Sequence, residues 1–140
     1  MVHLIVSAAA AVILVAGAPA DPFADVNPDH FEGLARDDLA AWSYGWNTDK
    51  VSGSVVTVLM QARYNTPTPF NGNPTPVAYS IHKIQLDCAA RTVTYLEGSN
   101  YTASGAFVGP GSPSAARPWT DGTTGFQAFA AEMCSSDWKR

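Results

Sequence analysis

The chain has 140 residues, a length that suits one domain, and carries a formal net charge of −4. The charge is uneven, since residues 21–49 hold seven acidic side chains against one arginine, and no basic stripe follows later. Nucleic acid is therefore excluded as an expected partner, because no run of lysine or arginine is available to meet phosphate groups.

The first twenty residues predict a secretory signal peptide rather than part of the domain. Residues 4–15 are almost wholly apolar, and the small-residue pattern Ala18-Pro19-Ala20 is typical of cleavage after Ala20. A membrane anchor is the alternative, but the apolar run is shorter than the roughly 20 residues that a span needs. No cysteine lies at the cut, so a lipid anchor is not indicated. We expect an exported chain, located in the periplasm, at the cell surface or outside the cell.

Export bears directly on the two cysteines of the sequence, Cys88 and Cys134. An even number of cysteines in an oxidising compartment predicts a disulfide. A metal site or a redox pair would need further ligands or a Cys-x-x-Cys spacing, and the sequence has neither. The pair is therefore interpreted as a structural disulfide.

Residues 21–30 are predicted to be a mobile, acidic lead-in to the domain. Residues 25–29 copy the first five positions of a calcium-binding loop. That loop fails further on, because His30 stands where glycine is needed and Arg36 stands where a bidentate glutamate is needed. We expect no metal site here.

The next segment predicts a short helix followed by a strand with an aromatic face. Leucines and alanines across residues 31–41, with Glu32 in the first turn, favour the helix. Trp42, Tyr44 and Trp46 then alternate with small or polar residues, so their three rings share one face of a strand. Such a face usually belongs to the core, but three large rings also make a tentative binding surface.

Two further stretches predict the centre of an antiparallel sheet. Residues 54–64 carry apolar side chains on both faces, which is typical of a central strand. Residues 77–101 predict a long hairpin that turns at residues 89–91. The apolar parity of its first strand changes at His82 and Lys83, so we expect an inserted residue, a β-bulge, at that point.

A C-terminal helix is predicted after a proline-rich loop, residues 109–118. Thr124 and Gln127 fit a capping box, with Thr124 as the N-cap. Apolar residues then recur at helical spacing as far as Met133. Cys134 lies one residue further along, so it can face the sheet.

No recognisable catalytic set is present in the sequence. There is no nucleophile elbow and no phosphate-binding glycine loop, and no His–Asp pair is placed to activate a serine. His82 is the best candidate for a hydrolase with an unrecognised site, but a bulge or edge histidine is the simpler interpretation. We therefore expect a protein that is not an enzyme and uses no cofactor.

A series of short motifs follows a specific order along residues 42–135. The motifs are Tyr79-Ser80, Asp87-Cys88, Arg91-x-Val93 followed by Tyr95, then Gly105, Trp119 and Cys134. In this order and spacing they resemble the surface-adhesin protein E family of small exported bacterial domains. The resemblance implies a curved antiparallel sheet against a C-terminal helix, with the two cysteines bridged. The best-known member of that family is a lipoprotein that binds host matrix proteins and can dimerise, but no binding residue transfers to this sequence, because the loops differ.

These observations predict an α+β fold for a single domain over residues 31–140. We expect a curved antiparallel sheet of about five to six strands, packed with a C-terminal helix and a short N-terminal helix. The expected function is an exported, non-enzymatic binding or interaction domain, adhesin-like, whose partner is an unknown protein or small molecule. The alternative is a periplasmic small-molecule-binding protein that uses the concave sheet face.

Overall fold

The computed structural model describes residues 20–70 and 72–135. The predicted signal peptide, apart from Ala20, and the last five residues lie outside this part of the chain. Within it the fold is mainly β, with one open antiparallel sheet of eight strands and one C-terminal helix. The strand count is higher than the predicted five to six.

The strands and the helix follow each other in a simple order. A 3-10 turn at Trp119–Asp121 precedes the helix. The sheet order is β1-β2-β4-β5-β6-β7, with β3 paired to β4 and β8 paired to β6, so β4 is central as predicted. The elements are β1 (Phe31–Arg36), β2 (Ala40–Gly45), β3 (Lys50–Ser52), β4 (Val55–Thr68), β5 (Val77–Asp87), β6 (Thr92–Tyr101), β7 (Phe107–Pro110), β8 (Arg117–Pro118) and α1 (Thr124–Cys134).

Residues 31–41, predicted to be a helix, form the β1–β2 hairpin instead. Asp37 makes the turn, because its Oδ1 accepts hydrogen bonds from the backbone N–H groups of Leu39 (2.8 Å) and Ala40 (3.2 Å). Aspartate bonding of this kind offers the backbone an alternative to a helix. The helix prediction was wrong because helix propensity is a weak prior, and pairing of β2 with β4 overrides it.

The sheet buries apolar side chains on both faces, in two separate clusters. The face that carries α1, called the helix face below, holds the larger cluster, which includes Trp42, Met60, Ile84 and Phe129. The opposite face holds a smaller cluster. Its buried members are Phe23, Tyr79, Ile81 and Tyr101.

The change of parity in β5 follows from these two clusters. Ile81 belongs to the cluster on the opposite face, whereas Ile84 belongs to the cluster on the helix face. The register of β5 against β4 runs through this point without a shift. The register against β6 does shift, between Lys83 and Ile84, and Leu96 of β6 is the extra residue. The predicted irregularity is therefore present, but the inserted residue lies on the partner strand.

Residues 21–30, expected to be a mobile lead-in, pack against the face opposite the helix. Phe23 is buried in the same cluster as Tyr101. The Asp21 carboxylate accepts hydrogen bonds from the hydroxyl groups of Tyr101 (2.9 Å) and Ser99 (2.8 Å). These contacts fix the start of the domain to β6.

The helix α1 is fastened to the sheet at both ends. At its N-terminal end, Oδ2 of Asp37 accepts a hydrogen bond of 2.7 Å from the backbone N–H of Gly125. A carboxylate at this position also interacts favourably with the helix dipole. At its C-terminal end, Cys134 forms a disulfide with Cys88, whose Cα lies 5.6 Å away. The disulfide prediction is confirmed.

The cap of α1 differs from the predicted capping box. Thr123 is the N-cap residue in place of Thr124, and its side chain makes no cap hydrogen bond. The Gln127 side chain donates to the carbonyl oxygens of Thr120 (3.3 Å) and Gly122 (2.9 Å). The side chain that accepts a hydrogen bond from the first turn of α1 is that of Asp37, in the turn of the distant β1–β2 hairpin.

Replacing Asp37 by alanine should lower the free energy of unfolding by about 1–2 kcal/mol, as loss of a helix cap typically does. The substitution removes acceptors both for the hairpin turn and for α1. Equilibrium urea unfolding measures the loss, and Asp38→Ala, which removes the neighbouring exposed carboxylate, is the matched control. Equal stability of the two variants would contradict the role of Asp37.

The same carboxylate should make stability depend on acid. Burial raises the pKa of Asp37, but hydrogen bonds from Thr123 and from backbone N–H groups outweigh it and hold the pKa below 3.8. A lowered folded-state pKa means that the stabilisation is complete above the unfolded-state pKa and is lost as the pH falls through the folded-state pKa. Asp37→Asn should weaken this acid dependence in urea unfolding, and an unchanged pH profile would argue against it.

Replacing Cys88 and Cys134 together by serine should lower the free energy of unfolding by roughly 2–5 kcal/mol. The bridge joins residues 46 positions apart, so its loss frees a long loop in the unfolded chain. Urea unfolding with and without dithiothreitol measures the effect. The reductant should reproduce the loss in the wild type and change nothing in the double variant. A loss well under 1 kcal/mol would show that the bridge is not a main support.

Candidate functional site

A cleft of about 230 Å³ opens on the helix face of the sheet. Its floor is formed by β2, β4, β5 and β6, and its walls by the N-terminal end of α1, the 3-10 turn and β8. We call it the aromatic cleft, because rings dominate its lining. The aromatic and polar side chains that line it are Trp42, Tyr64, His82, Tyr95, Arg117, Trp119, Asp121, Thr123 and Phe126.

Strand alternation places the rings of the floor. Trp42 of β2 lies directly opposite Ala62 of β4, and Met60 lies opposite His82 of β5. Side chains at two-residue steps along a strand point to the same face, so Tyr64 joins Met60 and Ala62 on the helix face. The small side chain of Ala62 leaves room beside the indole of Trp42.

The wall formed by the 3-10 turn is held by contacts on both sides. Trp119 is buried, and its backbone N–H donates to the carbonyl oxygen of Arg91 (3.1 Å). The Arg91 guanidinium lies 5.7 Å from the centroid of the Trp119 ring. A Cβ at Gly122 would come within 2.6 Å of the Phe126 ring, so glycine permits the close approach of turn and helix. The wall is therefore in contact with the turn between β5 and β6 on one side and with α1 on the other.

A short chain of hydrogen bonds begins at Tyr64, one of the lining residues of the cleft. The Tyr64 hydroxyl lies 3.3 Å from the Ser80 hydroxyl, which donates a 2.6 Å hydrogen bond to Oδ1 of Asn100. The Tyr64 ring also packs at a tilt on Phe70, with 5.2 Å between centroids. Burial raises the pKa of Tyr64, although its hydrogen bond with Ser80 opposes this.

Tyr95 and Arg117 form the outer edge of the cleft. The Arg117 guanidinium lies 5.3 Å from the centroid of the Tyr95 ring, a distance typical of a cation–π contact. Burial raises the pKa of the Tyr95 phenol, although the positive charge of Arg117 and its hydrogen bond oppose this. Arg117 is exposed, so the cleft has a positive charge at its mouth.

His82 lies in the cleft lining and is mostly buried. Its ring meets Tyr95 edge to face at 5.1 Å, and Gly98 and Gly111 make room for it, since a Cβ at either position would overlap the ring. Its buried Nδ1 has no hydrogen-bond partner among the described residues. Burial lowers the pKa of His82 to about 4, so the ring is neutral at pH 7.

The predicted binding surface of three rings is divided in the structure. Trp42 lines the aromatic cleft and is 4% exposed. Tyr44 is half-buried beside the larger cluster, and its hydroxyl donates to the Glu32 carboxylate (2.7 Å). Trp46 lies beyond the end of β2, is 52% exposed and stacks on His30 at 5.5 Å. The strand period stops at Gly45, so the third ring leaves the face shared by the first two.

Most of the cleft residues were not identified as a site from the sequence. Tyr64 and Tyr95 lie in segments that are predicted to be strands, and Trp119 occurs only as one of the short motifs of the series. Nothing in the sequence marked Arg117, because its position depends on the pairing of β8 with β6. One signal could have indicated the site. Once the register of β2, β4 and β5 is known, strand alternation puts Trp42, Tyr64 and His82 on the same face of the sheet.

Within residues 20–70 and 72–135, no group of three His, Cys, Asp or Glu side chains is placed to hold a metal ion. In the segment with the partial calcium-loop pattern, Oδ1 of Asn27 accepts a hydrogen bond from the backbone N–H of Asp29 (2.9 Å). The helices in the described part of the chain include none long and apolar enough to span a membrane.

The pKa of His82 should lie well below that of an ordinary histidine. With a folded-state pKa of about 4 against 6.5 in the unfolded chain, protonation opposes folding, so stability falls as the pH drops from 6.5 toward 4. Proton NMR of the His82 ring should show a midpoint near pH 4, with His82→Asn identifying the resonance. A midpoint above pH 6 would show that the ring is not buried as described.

The comparisons with known proteins bear on the fold. No family model matches the sequence, and no curated protein matches it. Crystal form II of Haemophilus influenzae protein E matches with a TM-score of 0.55 and 16% identity, over 85% of this chain and 96% of that chain. Protein E from non-typeable Haemophilus influenzae matches with a TM-score of 0.49 and 17% identity, over 86% of this chain and 84% of that chain. This chain therefore has a protein E-like fold.

Proposed function

We propose that this protein is an exported, non-enzymatic binding protein that holds a small molecule in the aromatic cleft. The cleft itself is the observation that supports the proposal. It is concave and lined mainly by aromatic and aliphatic side chains, with a few polar groups such as Tyr64 and Arg117 at fixed positions. Sites for small molecules commonly have this composition.

The volume of the cleft limits the size of the ligand. At about 230 Å³ it is smaller than the roughly 300–1,000 Å³ of sites for drug-sized molecules. A cavity of roughly 150 Å³ is enough for benzene. The ligand is therefore expected to be about the size of one substituted ring.

The state of His82 supports a binding role over a catalytic one. A general base works best when its pKa lies near the working pH. The pKa of His82 is about 4, and burial is its cause. The buried Nδ1 of His82 has no hydrogen-bond partner in residues 20–70 and 72–135, so no carboxylate orients the ring through that nitrogen, as one commonly does in a catalytic histidine.

The disulfide supports the exported location. Disulfides such as Cys88–Cys134 form and persist in oxidising compartments. The periplasm is the location that suits a small-molecule-binding protein, and the predicted signal peptide fits it.

A second candidate function rests on a different part of the surface. The exposed ring of Trp46, stacked on His30, is the kind of side chain that anchors protein–protein contacts. An adhesin-like interaction domain would use this region, and its partner would be another protein or a second copy of the chain. The Trp46 region and the aromatic cleft do not share lining residues.

Tryptophan fluorescence should respond when a small ligand enters the cleft, because Trp42 and Trp119 both line it. Titration of the oxidised protein against a library of single-ring metabolites is expected to show saturable quenching by at least one compound. The variant Trp46→Phe should keep the response, since its ring lies outside the cleft.

Two outcomes would decide against this function. Absence of any saturable response across the library would reject the aromatic cleft as a small-molecule site. Loss of the response in Trp46→Phe, with an unchanged unfolding midpoint, would place the ligand on the Trp46 surface and favour the second candidate.

A further inference from the structure

We propose that the ligand of the aromatic cleft is a small aromatic carboxylate, with its ring among the cleft side chains and its carboxylate on Arg117. The inference rests on the proposed function and specifies the chemical class of the ligand. It depends on three features of the cleft: the arrangement of its rings, the sign of the charge at its mouth and the place of Arg117.

The arrangement of the rings favours a flat ligand. Trp42 and Phe126 meet at 64° with centroids 6.4 Å apart, and His82 meets Tyr95 at 88°. Rings from different elements therefore approach the cleft at steep angles to one another. An added aromatic ring can meet such walls edge to face or with offset stacking, which are the favoured geometries of aromatic pairs.

The charges already present disfavour a cationic ligand. An aromatic lining can also bind ammonium groups, which sit over ring faces. Here the guanidinium group of Arg117, the one arginine among the lining residues, already lies over the ring of Tyr95. A ligand cation at this ring would meet a like charge. Asp121 is the single carboxylate among the lining residues and is exposed, so the preference for an anion rests on the local contact with Arg117 and not on the net charge of the cleft.

Arg117 is well placed to receive a carboxylate. Its guanidinium presents a planar fork of N–H donors that matches two carboxylate oxygens. The contact with the Tyr95 ring at 5.3 Å holds the side chain at the mouth of the cleft. β8 pairs with β6, with Arg117 opposite Val93, so the backbone below this side chain is fixed as well.

A second cleft on the opposite face is the competing site for an anion. It has a volume of about 360 Å³ and is lined by Lys50, Lys83 and Glu97. One aromatic ring, that of Phe23, lines it, and its two lysines are exposed. The second cleft therefore has positive charge but few aromatic side chains. The aromatic cleft offers both, so it is the better match to a ligand with a ring and a carboxylate.

Isothermal titration calorimetry with three one-ring probes tests the inference on the full, oxidised protein. Phenylacetate, phenylacetamide and phenethylamine share a ring and a short side chain but carry negative, zero and positive charge. We expect phenylacetate to bind about fivefold or more tightly than the amide, as one partly exposed charged contact allows, and the amine to bind most weakly. Arg117→Gln should bring the acid and the amide within about twofold of each other.

Lys83→Gln is the matched control, because it removes one exposed positive charge from the second cleft. It should leave the preference for phenylacetate unchanged, and thermal unfolding should show that both variants are folded. The inference is overturned if wild-type protein binds the acid and the amide equally, if phenylacetate fails to bind, or if Lys83→Gln rather than Arg117→Gln abolishes the preference. Equal binding of the acid and the amide would reject the carboxylate preference but would still support a small-molecule site in the cleft. Whether the cleft binds small molecules at all is decided separately, by the fluorescence titration against the metabolite library.

Discussion

The attachment of α1 at both of its ends is the constraint on which the rest of this structure depends. The Asp37 carboxylate holds the first turn, and the bridge between Cys134 and Cys88 holds the last. Between these points Phe126 and Phe129 pack against the sheet. Because α1 cannot shift along the sheet, the area that it leaves uncovered is fixed, and the aromatic cleft lies there.

The same sheet serves two cores. Its helix face carries the larger cluster, and the opposite face is covered by the N-terminal segment around Phe23. β5 contributes Ile81 to one cluster and Ile84 to the other, so it is an internal strand in the strict sense. His82 lies between these two residues, at the point where apolar packing passes from one face to the other. Its burial, and hence its lowered pKa, is a result of that position.

The sequence predicted those parts of the fold that depend on local periodicity. The strands around residues 54–64 and 77–101 and the C-terminal helix were recognised because their apolar spacing is long and regular. The hairpin at residues 31–41 was missed, since its turn depends on one aspartate and its strands on pairing with distant partners. The cleft was out of reach for a related reason. Arg117 and Trp119 come from a proline-rich stretch that has no periodicity, and only its pairing with β6 brings them into the same cleft as Tyr64 and Trp42.

The anchoring of Asp21 to Tyr101 and Ser99 determines how the two faces of the domain are presented. These contacts place residue 21 on the face opposite α1. A tag, a surface or a fused domain joined directly at residue 21 would therefore be attached on that face of the sheet. The aromatic cleft would then face outward, open to the surrounding medium.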